Sequence, residues 1–359
     1  MTGHEEAADA FVDRLFGAFI QTWDVYAVYL GDKLGYYTAL AEKGPLGPGA
    51  LAAATGTLER YTREWLEQQA VAGIVEVDDQ KADPAERRYA LPAGHAEVLT
   101  DPLSMRFLAP AAAQLVASGI ALPALVGTYR GERTMGWDDY GSDMRQGQAD
   151  MNRPWLMTAL GTEVLPSIAD VHERLSGGGR VADIGCGGGW STIAMAKSYS
   201  RIEADGYDLD EPSVEMARRN AAEEGVADRV RFQVRDAASD DLAGAYDLVT
   251  AIECIHDLGD PVGVLRTMRR LRNDGGTVLV VDEKVAERFT APGDDVERYM
   301  YGFSITTCLP DGMAYPGSAG TGTVMRPDTL RAYAAEAGFS DVEILPMDHD
   351  TFRLYRLEG

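Results

Sequence analysis

The chain has 359 residues, 45% hydrophobic and 25% charged, close to ordinary globular usage, so it can bury a core and does not read as disordered. Its length exceeds one ordinary compact unit and favours a principal domain with a smaller companion. Fifty-seven acidic side chains against 33 basic ones give a net charge of -24, which repels phosphate backbones and argues against nucleic acid and anionic membrane as partners.

Three widely spaced cysteines, Cys186, Cys254 and Cys308, form no CxxC pair, so neither a disulfide framework nor a structural zinc site is expected, and no metal is assigned. Residues 1–13 are acidic where a signal peptide would be basic, and no run of about 18 apolar residues is read anywhere. A cytoplasmic location is the expectation.

From Ala10 to Leu40, apolar residues recur at helical spacing: Phe11, Leu15, Phe19, Trp23, Ala27, Leu30 and Leu34 fall on one stripe, which reads as a pair of helices packed against something. The Gly/Pro cluster at 44–49 breaks the pattern. Two short helices follow, around Leu51–Gly56 and Arg60–Leu66, and then two alternating strands, Ala72–Val77 and Arg88–Leu91, flank a polar stretch as a wing would. Residues 36–95 therefore read as a winged helix within a mainly helical N-terminal domain, 1–100. Residues 101–165, Ala-rich with turns at Gly131 and Gly136, read as a helical connector.

Beyond Gly177 strand-like runs alternate with helical patterns, the signature of a Rossmann-like α/β sheet with seven strands over 166–359. The strands are expected at Arg180–Ile184, Glu203–Leu209, Val230–Val234, Tyr246–Ile252, Gly276–Asp282, Val342–Pro346 and Thr351–Arg356. A long insertion, 284–325, separates the fifth from the sixth and reads as a lid.

The strongest chemical signal runs from Val181 to Trp190, a strand entering a glycine-rich turn and then a helix. Glycines let a ligand approach the backbone, and the helix N-terminus presents amide donors to it. A dinucleotide fingerprint would need glycine where Trp190 stands, which disfavours nicotinamide. The Asp183, Gly185, Gly187, Gly189 pattern resembles the first motif of class I S-adenosylmethionine-dependent methyltransferases, and the resemblance continues from about Arg180 to Leu357. It implies S-adenosylmethionine as cofactor, with the glycines around its methionine part. Asp208 lies about 20 residues beyond the glycines, where a carboxylate can accept both ribose hydroxyls, with Leu209 beside it. Asp236 and Ala237, after the third strand, fall at the adenine end, and Glu253 at the end of the fourth completes the implied cofactor set. A lone aspartate at such a strand end serves equally as a turn or helix cap.

Methyl transfer from a sulfonium is an in-line displacement that asks the protein to orient an acceptor, exclude water and, for a hydroxyl, take its proton. The segment Ala251–Leu258 is similar to the His-Asp motif of plant-type small-molecule O-methyltransferases, in which the histidine is the general base; that likeness makes His256 the candidate, with Asp257 beside it and Glu283 as the acidic residue that orients it. The family's second flanking glutamate is replaced by Met325, which cannot orient an imidazole; a structural or capping histidine is the other reading. Tyr299, Tyr301, Phe303 and Met313 of the insertion are candidates to roof an apolar acceptor pocket, and Trp155 to close over the cofactor, although burial would explain these residues equally. Cys186 and Cys254 read as packing residues.

As a whole the chain is similar to actinobacterial methyltransferases with an N-terminal winged-helix domain, on segments such as Tyr301–Ser304, Cys308–Pro310, Thr321–Thr323 and Phe352–Arg356. That likeness implies a homodimer built through the first domain and a small-molecule acceptor, a hydroxylated secondary metabolite, methylated on oxygen. N- or C-methylation and a cofactor-binding protein that does not methylate stay open. A winged-helix regulator on DNA is disfavoured, since acids outnumber bases about two to one over the first 100 residues.

Overall fold

The computed structural model describes residues 3–239 and 241–359. Two compact units make up the chain, Met1–Val116 and Ala117–Gly359.

The first unit begins with one continuous helix, Gly3–Lys33, where the sequence suggested a pair. The chain breaks only at Leu34 and Gly35, whose φ of 69° is a left-handed turn, before the short helix Tyr36–Lys43. Its core gathers Tyr36, Tyr37, Leu40, Leu51, Trp65 and Leu66. Trp65 donates its indole N–H to the carbonyl of Ala27 at 2.9 Å and presses on Gly31, where any Cβ would collide with it. Of the apolar stripe on the first helix, Ala27 alone is buried, while Phe19 and Trp23 are 58% and 66% exposed. Helices Pro48–Thr55 and Glu59–Val71 form the helix-turn-helix. The wing is shorter than the alternation suggested: β1, Glu76–Val77, pairs antiparallel with β2, Tyr89–Ala90, over two residues each.

Within the second unit lie β3 (Gly179–Ile184), β4 (Ile202–Asp208), β5 (Val230–Val234), β6 (Tyr246–Ile252), β7 (Arg272–Glu283), β8 (Asp341–Leu345) and β9 (Phe352–Glu358). They form one seven-stranded sheet of order β5-β4-β3-β6-β7-β9-β8. The first five are parallel and β9 is antiparallel to both of its neighbours. Alternation assigns the two faces: Val181, Leu248 and Leu279 join one core, and Ala182, Val249 and Val278 the other. Both faces are covered, which is why these strands read as nearly continuous apolar runs. Chain order reverses beside β3, and open α/β sheets leave a crevice at the carboxyl ends of the strands at that point.

Helix Ala109–Tyr129 corrects one reading: its 21 residues carry no charge and are long and apolar enough to cross a membrane by length and composition. More than half of its most apolar window is buried in the protein. The segment 284–325 contains helices Asp295–Phe303 and Leu309–Gly312, joined by a wider turn over Ser304–Cys308.

Candidate functional site

The loop leaving β3 is held by backbone bonds, with Gly185 N–H and Cys186 N–H both donating to the Tyr207 carbonyl at 2.8 and 3.1 Å. Gly185 and Gly189 have φ of 65° and 81°, and a Cβ at either would stand 2.7 Å from Cys254 Sγ or Ala217 Cβ, respectively. Gly187, also left-handed at 49°, faces open space. Its N–H donates to Asp208 Oδ2 at 2.7 Å, and Asp210 N–H donates to Asp208 Oδ1 at 2.9 Å. The Asp208 carboxylate therefore stands at the rim of an open glycine cradle, where burial raises its pKa against these two amide bonds. This set of groups fits an adenosylated sulfonium: a carboxylate to accept from a diol, open space beside Gly187, and acidic surroundings for a cation.

Asp183 has a different job from the one expected. It is buried and accepts from the hydroxyls of Ser191, Thr192 and Thr250, the last two at 2.7 Å each, so its oxygens are committed to tying β3, β6 and helix Trp190–Ser198 together. Asp236 is exposed, and its Oδ1 accepts from Ala238 N–H at 2.9 Å in a local turn that carries Ala237. Leu209 is also exposed, at the end of β4.

At the ends of β6 and β7 an acidic cluster surrounds one imidazole. His256 is buried, on a short turn after β6. Its Nδ1 is 2.8 Å from Asp282 Oδ1, the hydrogen bond that orients the ring. The orienting residue is thus Asp282 rather than Glu283, and strand alternation is the reason: successive side chains of β7 point to opposite faces. Asp257 Oδ1 lies 3.2 Å from Nε2 but makes no hydrogen bond there. Burial disfavours the imidazolium, yet Asp257 and Asp282 outweigh it and hold the His256 pKa well above the usual histidine range.

Glu253 is the single non-glycine residue with positive φ among the described residues, at 55°, a strained backbone of the kind that gathers at functional sites. It accepts a short bond from the Asn152 amide. Burial pushes its pKa up to about 7. Burial, then the charge of Glu253, push Glu283 up as well, and Glu283 Oε2 is buried without a partner. Tyr299 is within electrostatic reach of both, and burial together with these two carboxylates pushes its phenol up to about 12. Burial and then Asp257 raise Asp311 to about 7.

The other pocket candidates separate. Phe303 packs edge-on against Tyr299 at 5.0 Å between centroids. Tyr301 lines a hollow of about 410 Å³ with Phe289 and Ile305, and Met313 is exposed. Trp155 is buried against Phe352 and His349, a packing position, with its indole N–H unpartnered. Met325 is buried in the core.

Sequence reasoning missed Asp282, Arg145 and Asn152. Arg145 grips Asp210 with two bonds, 2.7 and 2.8 Å, behind Asp208. Arg145, Gln148 and Asn152 recur at i, i+3 and i+7 on helix Gly141–Trp155, a polar stripe whose period was the available signal.

Comparison with known proteins places a methyltransferase domain at residues 175–310 and an Rv2258c-like winged helix-turn-helix domain at 26–101. The chain is 37% identical over 110 residues to the polyketide synthase ThaQ of Burkholderia thailandensis, which is 31% of this chain and 5% of that protein. It is 29% identical over 184 residues to a ubiquinone biosynthesis O-methyltransferase of Pseudomonas aeruginosa, covering 50% of this chain and 73% of the relative. The human N-acetylserotonin methyltransferase, solved in complex with S-adenosylmethionine, superposes over 100% of this chain and 99% of its own with a TM-score of 0.70 at 18% identity, which speaks for the fold.

Proposed function

We propose that the chain, with its methyltransferase domain and winged helix-turn-helix domain, is an S-adenosylmethionine-dependent methyltransferase that methylates a hydroxyl of a small secondary metabolite, with His256 as the base. The observation that carries this reading is the Asp282–His256 pair, whose 2.8 Å bond fixes Nδ1 and makes Nε2, 3.2 Å from Asp257 Oδ1, the nitrogen that can face an acceptor.

The bound cofactor supplies an electrophilic methyl on a sulfonium. Asp208 and the backbone at Gly185, Gly187 and Gly189 would hold it, while Asp183 keeps the loop in shape. Everything else falls to this chain's side chains. In its deprotonated form the imidazole takes the proton of an acceptor hydroxyl at Nε2, and Asp282 with Asp257 stabilises the imidazolium that results; because the same two carboxylates hold the His256 pKa high, that deprotonated form is gained as pH rises. Glu253 and Asn152 would form the neighbouring wall, and Tyr299 stands within electrostatic reach of Glu253 and Glu283.

The exposed stripe Phe11, Phe19, Trp23 and Leu30 supports a homodimer through the first helix, since so much contiguous apolar surface is costly to leave in water. The acidic balance of the same unit supports a protein–protein rather than a DNA role for the winged helix.

One observation favours a second reading. Half-buried Glu253 stands with buried Glu283, whose Oε2 has no partner, an arrangement that would suit drawing in an acceptor ammonium and taking its proton so that the freed nitrogen lone pair is methylated. Incubation with methyl-labelled S-adenosylmethionine and matched phenols and arylamines separates the two. Label on phenols, lost in His256→Ala while cofactor binding persists, supports O-methylation; label on amines alone, indifferent to that change, overturns it.

A further inference from the structure

We infer that His256, Asp257 and Cys308 together form a binding site for a soft divalent transition metal of the zinc class, whose occupancy takes the imidazole out of methyl transfer. The inference deepens the proposed role of His256 and rests on it only for the consequence, not for the site.

A ligand atom from each of the three residues lies within 4.8 Å of the other two, close enough for one ion to be shared. The set is one nitrogen, one carboxylate oxygen and one sulfur, which suits zinc or cobalt and is foreign to magnesium and calcium, which take oxygen. Three protein ligands would leave a fourth tetrahedral position open to water or to an acceptor oxygen.

The surroundings are those of a ligating histidine. Such a histidine normally donates its other ring N–H to a carboxylate, and Nδ1 of His256 already does so to Asp282 at 2.8 Å. Nε2 faces Asp257 Oδ1 at 3.2 Å with no hydrogen bond between them. Asp257 Oδ1 and the hydroxyl of Thr323, which is 2% exposed, are both buried without partners.

Two of the ligands belong to the turn after β6 and the third to the 284–325 segment. These pieces are already joined by Gly322 N–H donating to the His256 carbonyl at 3.1 Å. An ion would staple them further. Binding exchanges protons for metal: the thiol proton of Cys308, and any proton on Nε2, pass to solvent as the Sγ–metal and Nε2–metal bonds form. Because a metal-bound Nε2 has no lone pair for an acceptor hydroxyl, zinc should inhibit methyl transfer reversibly.

The test is a titration of the full-length protein, stripped with chelator, with Co²⁺. A saturable one-to-one change with near-ultraviolet thiolate-to-cobalt absorption and tetrahedral bands in the visible is expected. Cys308→Ser should abolish the near-ultraviolet band, Cys186→Ser should leave it intact, and His256→Gln should weaken cobalt binding by about 10-fold or more. Circular dichroism of each variant checks its fold. A wild-type titration without the thiolate band, or a band that survives in Cys308→Ser, would overturn the inference. The readout is independent of turnover, so a cobalt band without methyl transfer sinks the proposed activity alone, and methyl transfer without the band sinks the metal site alone.

Discussion

Nδ1 of His256 and Oδ1 of Asp282 lie 2.8 Å apart in a dry setting, so the carboxylate fixes both the position of the ring and which nitrogen it offers. Both residues are buried, and such supporting contacts typically carry about 10- to 100-fold of activity or affinity. Asp282→Asn should lower kcat by that order while S-adenosylhomocysteine binds with unchanged affinity in calorimetry. Unaltered turnover would show that the ring needs no such support.

Gly189 combines a φ of 81° with contacts that a Cβ would make at 2.7 Å to Ala217 and 2.8 Å to Phe232. Gly189→Ala should therefore destabilise the second unit by about 1–3 kcal/mol, read as a lowered denaturant midpoint. Gly187→Ala meets no neighbour within 4 Å and should cost less in stability, with its penalty appearing in cofactor affinity instead.

Asp311 accepts from Trp137 N–H at 2.8 Å, yet burial, with Asp257 nearby, lifts its pKa to about 7. A carboxyl whose folded pKa exceeds its unfolded value of roughly 3.9 binds more protons in the native state between the two. Its contribution to stability is therefore lost as pH rises from about 4 to about 7, on the order of 1 kcal/mol per pH unit. Asp311→Asn keeps the acceptor for Trp137 and removes the charge, so it should unfold at higher temperature than the wild type at pH 8 and match it near pH 4. A pH-independent difference between the two would contradict the assignment.

Phe19 and Trp23 are exposed on the first helix, where a stripe of this length asks for a partner. Phe19→Glu with Trp23→Glu should convert a dimer to a monomer in size-exclusion chromatography with light scattering. A wild-type monomer would remove the need for the experiment and the proposal with it.

Much of this architecture is written in local pattern. β5 and β6 fall on the residues where apolar alternation ended, Val230–Val234 and Tyr246–Ile252, because a buried parallel strand is bounded sharply by polar turn residues. The glycine turn after β3 was legible for a similar reason: three left-handed glycines leave a compositional mark. Elsewhere the deciding information is not local. Whether Asp282 or Glu283 meets His256 is a one-residue question of strand face, which spacing alone does not decide. Asn152 and Cys308 reach the cluster from segments about 100 and 50 residues from Glu253 and His256, and only the folded chain brings them there. Asp183 misleads for the opposite reason, since its motif position suggests a ligand contact while three hydroxyls consume its oxygens. The wing strands shrink to two residues each because the polar stretch between them continues as turns.

The central claim is that the loop from Gly185 to Gly189, with Asp208 at its edge, is built to hold an adenosylated sulfonium. Titration calorimetry of the wild type and Asp208→Ala with S-adenosylmethionine and S-adenosylhomocysteine, with NAD as control, tests it most directly. Saturable one-to-one binding of both adenosyl ligands is expected, with none of NAD, and affinity in the variant should weaken by about 10-fold or more, because a charged acceptor of two hydroxyls is lost. Absence of binding to the wild type, or equal affinity in Asp208→Ala, would contradict it.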